Sequence, residues 1–262
     1  SHFYFPAGYD SLCAFTARAV PGITALLKQR LFTDIEKDIN IILYPSTDQL
    51  YETNIGASGL RNYTLPTVVL KGNRVLVAYD GSYERLKAHL SEALARSIWE
   101  EQFDNGIGQQ LKSTVLNDKI PLWCKEGMIS YFANGWAITQ EDQLRRSFEE
   151  QRFSDWYDVI HHQPLLSGVA FCYYLTRQYY PQAASQLYQQ LKKKKDLQRA
   201  IRLITKKNLQ QTLDDCYRFY LQRFQKGTVQ PGPVDSMRIA IKHPKGILKT
   251  MEVSADRTNM AY

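Results

Sequence analysis

The chain has 262 residues, 44% hydrophobic and 23% charged, with a formal net charge of +7, a composition that is ordinary for a globular protein. No apolar run approaches the roughly 20 residues that a membrane-spanning helix needs, and no signal peptide is visible. The four cysteines form no CxxC pair, which argues against a zinc cluster or a disulfide framework and predicts small buried side chains.

The first residues are predicted to form a strand followed by a helix. The stretch HFYFPAGY is typical of a strand. Asp10 or Ser11 is expected to cap a helix that runs to about Leu31, and Pro21 is expected to kink or split that helix.

Two further strand signals follow in the next part of the chain. Residues 38–45, DINIILYP, form a short apolar run that ends at proline and predict a buried strand, after which Ser46 or Thr47 caps a short helix. Residues 67–80 predict a β-hairpin with 71–74 as its turn. Together these elements predict a small mixed sheet with one or two helices packed on it.

From Ser82 onward the pattern becomes helical. A stripe of residues at helical spacing predicts the first helix: Leu86, Leu90, Ala93, Leu94, Ser97, Ile98 and Phe103. A second helix is predicted within 120–136, between a proline and an Asn-Gly pair. Further helices are predicted around 140–152, 165–180, 182–193, 196–204 and 209–225. His161 and His162 are expected in a loop before Pro164.

The predicted fold class is therefore α+β. A small mixed β-sheet with packed helices is expected in 1–81, followed by a mainly helical bundle in 82–225. Residues 226–236, rich in glycine and proline, are predicted to be a linker. Residues 237–262 turn β-like again and are too short to fold alone, so they are expected to pair with the main domain or to belong to a larger part.

The stretch HLSEALAR, 89–96, resembles the zinc-binding motif HExxH with both histidines gone. In that motif two histidines one helical turn apart bind zinc, and the glutamate between them acts as general base on the zinc-bound water. When the motif is aligned on 91–95, Ser91 and Ala95 occupy the histidine positions and Glu92 occupies the position of the base.

The surrounding sequence resembles the gluzincin branch of the zinc peptidases. A predicted hairpin precedes the helix, as it does in gluzincins, and IPLWCKEGMISYF, 120–132, resembles the gluzincin pattern P-x-W-x-x-E-G-x-x-x-Y. The stretches SGVAFCYYLTRQYY and LQQTLDDCYRFYL resemble later helices of the same peptidases. The resemblance covers roughly residues 1–225 and implies a thermolysin-like fold in which Glu126 takes the place of the third zinc ligand.

The last residues, VSADRTNMAY, resemble the pattern S-x-D-G-x-x-x-A-Y that starts a TolB-type β-propeller blade, with Arg257 where the pattern usually carries glycine. A degenerate gluzincin-like domain followed by a TolB-like propeller is similar to a group of exported proteins of Bacteroidota, and the stretches FYFPAGY and SYFANGW fit that group. The resemblance implies an exported protein, periplasmic or associated with the outer membrane, cut here just inside its first propeller blade.

These observations predict a non-catalytic domain that binds or scaffolds a protein or peptide partner, with its own propeller as a second partner and without cofactor, metal or nucleic acid. An extended peptide is expected to dock beside the 67–80 hairpin by strand addition. Without zinc, Glu92 is expected to pair with Arg96, and Glu126 to act locally as a first-turn glutamate favoured by the helix dipole. The residues expected to line the old substrate cleft are Glu92, Arg96, Trp123, Glu126 and Tyr131. For Trp123 and Tyr131 the alternative, which the sequence favours, is a place in the core.

Two other functions remain open from the sequence alone. A metallopeptidase with a rearranged site would use Glu92 and Glu126, with His89 as a further ligand, although His89 is rotated about 200° around the helix from the missing imidazole. A basic adaptor would bind an anionic partner through 192–207, a stretch otherwise predicted to be a solvated amphipathic helix.

Overall fold

The computed structural model of the chain describes residues 1–34, 38–52, 67–70, 73–103, 119–151, 153–226, 252–253 and 260–261. The chain divides into two compact units, Ser1–Gln222 and Arg223–Tyr262. The first unit is a mixed α/β structure that is mostly helical, with a small sheet built from its first 78 residues.

The sheet of the first unit has four described strands: β1 His2–Tyr4, β2 Asn40–Tyr44, β3 Thr67–Leu70 and β4 Arg74–Ala78. Their order is β1-β2-β4-β3. Strands β1, β2 and β4 run parallel, whereas β3 pairs antiparallel with β4 and lies at one edge. The predicted strands and the antiparallel pairing of the hairpin are therefore confirmed, and the sheet is mixed as expected. Residues 71–72 of the predicted turn lie outside the described residues, and Arg74, expected in the turn, already belongs to β4.

Strand β4 lies at the core of the sheet, and its last four residues are 0% exposed. Such a strand is covered on both faces. Helix α2, Thr47–Glu52, packs Leu50 against Leu76 and Ala78. Helix α3, Tyr83–Phe103, follows β4 after a short connection and contacts both β3 and β4. The sheet thus fixes where α3 begins and how it lies.

Serine side chains start both of these helices. The Ser46 hydroxyl accepts a hydrogen bond from the Gln49 backbone N–H at 3.2 Å, as predicted for the start of α2. The Ser82 hydroxyl accepts one from the Arg85 N–H at 3.3 Å at the start of α3. Each bond satisfies a backbone donor that the first helical turn leaves free.

The described residues form ten helices, and eight of them come in addition to α2 and α3. These are α1 Asp10–Leu31, α4 Leu122–Asn134, α5 Ile138–Gln151, α6 Trp156–His162, α7 Pro164–Gln178, α8 Ala183–Lys194, α9 Leu197–Thr205 and α10 Leu209–Lys226. Apart from α6, which was not predicted, the helices from α4 onward agree with the predicted bounds to within two residues at each end.

Helix α1 runs through Pro21 without a break, so the expected split does not occur. Proline removes the donor that would bond to the carbonyl of Ala17, but both residues are exposed, where water can satisfy that carbonyl. The expected cap is also wrong, because Asp10 is the first helical residue and the N-cap residue, Tyr9, makes no side-chain hydrogen bond to the helix.

His161 and His162 lie in a helix and not in the expected loop. Helix α6 starts at the N-cap Asp155, whose side chain accepts a hydrogen bond from the Asp158 N–H at 3.0 Å, and the two histidines form its last turn. The break before α7 is only the residue Gln163. The prediction failed because the proline was taken to end a loop, whereas it begins the next helix.

Helices α4 and α7 cross at a pair of glycines. A Cβ atom on Gly127 would lie 2.3 Å from the backbone of Gly168, and a Cβ on Gly168 would lie 2.1 Å from the carbonyl oxygen of Trp123. The Trp123 ring packs edge-on against Phe171, with ring centroids 5.5 Å apart. Because Gly127 follows Glu126 in the chain, this close crossing also fixes the direction in which the Glu126 side chain extends from α4.

The cysteines behave largely as predicted. Cys124, Cys172 and Cys216 are buried and Cys13 is half-buried, and all four are free thiols. Burial raises the pKa of Cys124 to about 12, so this thiol stays protonated and packs as a small apolar group.

In the described part of the chain no helix has the length and apolar character needed to cross a bilayer. The second unit contains the end of α10 and an antiparallel pair of strands, β5 Glu252–Val253 and β6 Met260–Ala261. The predicted linker beyond Lys226, and most of the predicted propeller segment 237–262, lie outside the described residues.

Candidate functional site

Helices α3 and α4 pack side by side in opposite directions, and two contacts fix their register. The Ser91 hydroxyl donates a hydrogen bond to the carbonyl oxygen of Ala133 at 2.8 Å. Further along α3, the Arg96 guanidinium donates to the carboxylate of Glu126, which lies earlier in α4. The two contacts therefore show that α3 and α4 are antiparallel, with residue 91 beside residue 133 and residue 96 beside residue 126.

Arg96 lies between two carboxylates. Its Nη1 is 2.8 Å from Oε1 of Glu126 and its Nη2 is 2.5 Å from Oε2, a two-point pair. The same Nη2 is 3.7 Å from Oε1 of Glu92, one turn earlier on α3. The side chains of Arg96, Glu92 and Glu126 are 19%, 29% and 24% exposed, so water screens these charges only in part. We call these three residues the Arg96 cluster.

Burial and the neighbouring opposite charges shift the pKa values of Glu92 and Arg96 in opposite directions. Burial raises the pKa of Glu92, Arg96 lowers it, and the net result is a raised pKa. Burial alone would lower the pKa of Arg96, but its hydrogen bond to Glu126 and the charges of Glu126, Glu92 and Glu100 raise it overall. Lys125 extends the row of charges, with Nζ 3.9 Å from Oε1 of Glu100. Arg96 therefore stays protonated at ordinary pH.

The structure brings together three of the residues predicted to line the cleft. The pairing of Glu92 with Arg96 was expected from their spacing along one helix, and it is present. The bond between Arg96 and Glu126 was not expected. Glu126 is the fifth residue of α4 and lies outside its first turn, so the expected local role at a helix start is wrong.

Ser91 and Ala95 are directed elsewhere. The Ser91 hydroxyl donates its hydrogen bond to the Ala133 carbonyl, and Ala95 lies in the core with 3% of its surface exposed. Each step along a helix turns the side chain by about 100°. The pair of α3 residues that faces Glu126 is therefore Glu92 and Arg96, one position later than the predicted pair of Ser91 and Ala95.

Trp123 and Tyr131, the other two predicted cleft residues, lie at different ends of α4. Trp123 is 8% exposed and packs into the interface with α7. The Tyr131 hydroxyl lies 3.0 Å from Oγ1 of Thr176 on α7. Trp123 is thus a core residue, and Tyr131 reaches the surface near the end of the helix pair.

Tyr131 lines a cleft of 310 Å³ together with Trp136, Tyr173, Thr176, Arg177 and Pro181. The rings of Trp136 and Tyr173 are stacked with centroids 5.2 Å apart, and the Arg177 guanidinium lies 5.3 Å from the centre of the Tyr173 ring. Clefts lined by aromatic side chains accept apolar or proline-rich peptide groups. We call this the aromatic cleft, and the Arg96 cluster does not line it.

The zinc ion that a gluzincin would hold does not fit these residues. Zinc needs imidazole, thiolate or carboxylate groups directed at one point, whereas Arg96 has no lone pair to give and carries a positive charge that would repel the metal from Glu126. Among the residues that the structure describes, no group of three His, Cys, Asp or Glu side chains is placed to hold a metal ion.

His89, the further candidate ligand, lies apart from the cluster. Burial lowers its pKa, and the charged groups that act on it are Asp80 and Arg85. Its Nδ1 atom is buried and has no hydrogen-bond partner within the described ranges. Neither Glu92 nor Glu126, the carboxylates of the predicted rearranged metal site, is among the charged groups that act on His89.

We expect the change Arg96→Ala to destabilise the protein by about 1–3 kcal/mol, because it leaves two partly buried carboxylates without their cation. Chemical denaturation measures this loss. The matched control is Arg218→Ala, since Arg218 pairs with Asp215 at the surface with its own side chain 65% exposed, and we expect a change below about 0.5 kcal/mol there. Equal losses in the two variants would show that Arg96 is an ordinary surface residue.

The loss in Arg96→Ala is expected to shrink as the pH falls. Removal of Arg96 takes away the group that lowers the pKa of Glu92, so that pKa rises further above its unfolded value. A carboxyl with a raised pKa in the folded state takes up its proton there first, and acid then favours folding. Denaturation curves of both proteins at pH 5 and pH 7.5 test this, and a gap that widens in acid would contradict it.

The site thus combines a partly buried charged cluster between α3 and α4 with an aromatic cleft at the ends of α4 and α7. Neither part contains a histidine. Comparisons with protein-family models, with curated proteins and with solved structures found no match to this chain.

Proposed function

We propose that this chain is a non-catalytic, peptidase-like domain that binds a protein or peptide partner. The observation that carries the proposal is the contact of Arg96 with Glu126 and Glu92. In a gluzincin, two α3-like residues one turn apart and a glutamate from a later helix converge on zinc. Here the converging residues are Glu92, Arg96 and Glu126, and the positive charge beside the two carboxylates is the guanidinium of Arg96 instead of a zinc ion.

This set shifts the alignment with HExxH by one position. Glu92 then corresponds to the first histidine, Arg96 to the second, and Glu126 to the third ligand. The general base would fall on Ala93, which has no acid–base group and is 0% exposed. Under this alignment the base has been lost along with both histidines, which favours a binding role more strongly than the predicted alignment on Ser91.

Two surfaces of the domain are suited to a peptide. Strand β3 lies at the edge of the sheet, antiparallel to β4, and α3 packs against both strands. An exposed edge accepts an extended chain through backbone hydrogen bonds alone. The aromatic cleft, whose lining includes Trp136 and Tyr173, then offers an apolar contact for one side chain of the partner. The exported location and the propeller neighbour implied by the TolB-like resemblance belong to the same proposal.

The proposal predicts no stoichiometric zinc in protein purified without chelators and without a histidine tag, as measured by mass spectrometry of metals. It also predicts that a mixture of unstructured peptides stays uncleaved when zinc is added. Stoichiometric zinc, together with cleavage that is lost in Glu126→Gln, would sink the proposal and favour the rearranged peptidase.

A library of random extended peptides is expected to yield binders. A selected peptide with N-methyl groups at alternate residues is expected to bind at least about tenfold more weakly, because strand addition depends on its backbone N–H groups. Isothermal titration measures both affinities. Binding that survives N-methylation but is abolished by Trp136→Ala would place the peptide in the aromatic cleft and exclude the sheet edge.

A further inference from the structure

The positive charge of this chain is concentrated in one short stretch. Residues 192–207 contain six lysines, two arginines and one aspartate, so eight cations less one anion leave a formal charge of +7. The formal charge of the whole chain is also +7. The residues outside this stretch hold 25 basic and 25 acidic side chains and sum to zero. The excess charge is therefore local and is not a general property of the surface.

The stretch forms the end of α8, a short turn, and α9, which packs against α8. Arg199, Arg202, Leu203 and Lys206 follow one another at helical spacing and are all exposed. The opposite side of α9 is buried in the domain: Leu197, Ala200, Ile201 and Ile204. The apolar face of α9 is thus already occupied, and its cationic face is turned outward. We call the exposed face, with the end of α8, the basic face.

Helix stabilisation accounts for only part of this charge. Lys192, Lys193 and Lys194 lie in the last turn of α8, where cations interact favourably with the helix dipole. Arg199 lies in the first turn of α9, where the dipole disfavours a cation. Among the described residues, Lys193, Lys194 and Arg202 take part in no ion pair. All three lie in the last turn of their helix, so the helix dipole is the one internal interaction that they have. Arg199 does not have even that interaction, and the cluster carries more positive charge than ion pairing within the domain uses.

We propose that the basic face docks on a membrane surface rich in anionic phospholipids. A diffuse layer of lipid phosphates suits lysine, a compact point charge that needs no fixed partner geometry, and clusters of this size are typical of such binding. Leu203, 45% exposed among the cations, is placed to enter the headgroup layer. Residues 192–207 include no aromatic side chain on which unpaired nucleic-acid bases could stack.

The test uses sedimentation with vesicles of phosphatidylcholine alone and of equal parts phosphatidylcholine and phosphatidylglycerol. The protein is expected to bind the anionic vesicles only, and to be released as salt rises from about 0.05 to about 0.5 M. The variant Arg199→Gln, Arg202→Gln, Lys206→Gln is expected to bind about a hundredfold more weakly. Its circular dichroism and melting temperature are expected to stay unchanged, because these side chains are exposed.

The matched control removes the same charge elsewhere, with Arg18→Gln, Lys87→Gln and Arg146→Gln, all of them exposed. It is expected to bind the anionic vesicles nearly as well as the unchanged protein. No vesicle binding, or an equal loss in both triple variants, would overturn the proposal. Binding to a DNA duplex without binding to the vesicles would also overturn it and assign the basic face to nucleic acid. Peptide binding by the edge strand is independent of all these outcomes.

Discussion

Gly168→Ala is expected to destabilise the first unit by about 3 kcal/mol or more. The added Cβ would lie 2.1 Å from the carbonyl oxygen of Trp123 and 2.8 Å from the Cα of Gly127. Both obstacles are helix backbone, so α4 and α7 must move apart, and overpacking of this kind costs more than alanine gains in helix propensity, about 1 kcal/mol. For a domain of this size the melting temperature is expected to fall by about 6–12 °C.

The matched control for this change is Gly22→Ala. Gly22 also lies inside a helix, α1, but a Cβ there would meet nothing within 4 Å. Alanine is therefore expected to stabilise the protein by about 0.5–1 kcal/mol at that position. Thermal and chemical denaturation of both variants give the comparison. If Gly168→Ala melts at the temperature of the unchanged protein, α4 and α7 do not cross as closely as described.

The crossing glycines matter for the site because they set the rotation of α4. Gly127 follows Glu126, so helices forced apart at Gly168 would carry the Glu126 carboxylate away from Arg96. We expect the Gly168→Ala variant to lose part of the coupling between these two residues. Packing between α4 and α7 and the charged pair between α3 and α4 thus depend on each other.

Periodicity was enough to predict most of the elements. The stripe on α3 is buried from Leu86 to Ile98 as its spacing required, and the two strands of the predicted hairpin pair antiparallel. Pro21 and Pro164 were misjudged for different reasons. At Pro21 the outcome depends on whether the carbonyl that the proline leaves free reaches water, and the local sequence does not contain that information. Pro164 begins α7, and the sequence before it gave no sign that the histidines already belong to another helix.

The site was harder to predict than the fold. Glu92 and Arg96 were paired correctly because one helical turn separates them in the sequence. The bond from Arg96 to Glu126 joins residues thirty positions apart, and it depends on the rotation of two helices about their own axes. An error of one residue in alignment is a rotation of about 100°, which is the difference between Ser91, bonded to Ala133, and Glu92, facing Glu126.

The double change Glu92→His, Arg96→His is expected to create zinc binding where the unchanged protein has none. It replaces the cation by a second imidazole and sets two histidines one turn apart opposite Glu126, the ligand types and number that catalytic zinc sites use. Titration with zinc is expected to show one site per chain and a melting temperature that rises with zinc concentration, since a ligand that binds only the folded state stabilises it.

Two controls separate the alignment from the mere presence of histidines. Adding Glu126→Gln to the double change removes the third ligand and is expected to weaken zinc binding by about tenfold or more. Ser91→His with Ala95→His places the same pair one position earlier, at buried sites of 6% and 3% exposure, where the imidazoles do not face Glu126. Because this control is expected to lose stability, its zinc affinity is compared only if circular dichroism shows a folded protein. Tighter zinc binding by the earlier pair would restore the alignment on Ser91 and remove the main support for a lost general base at Ala93.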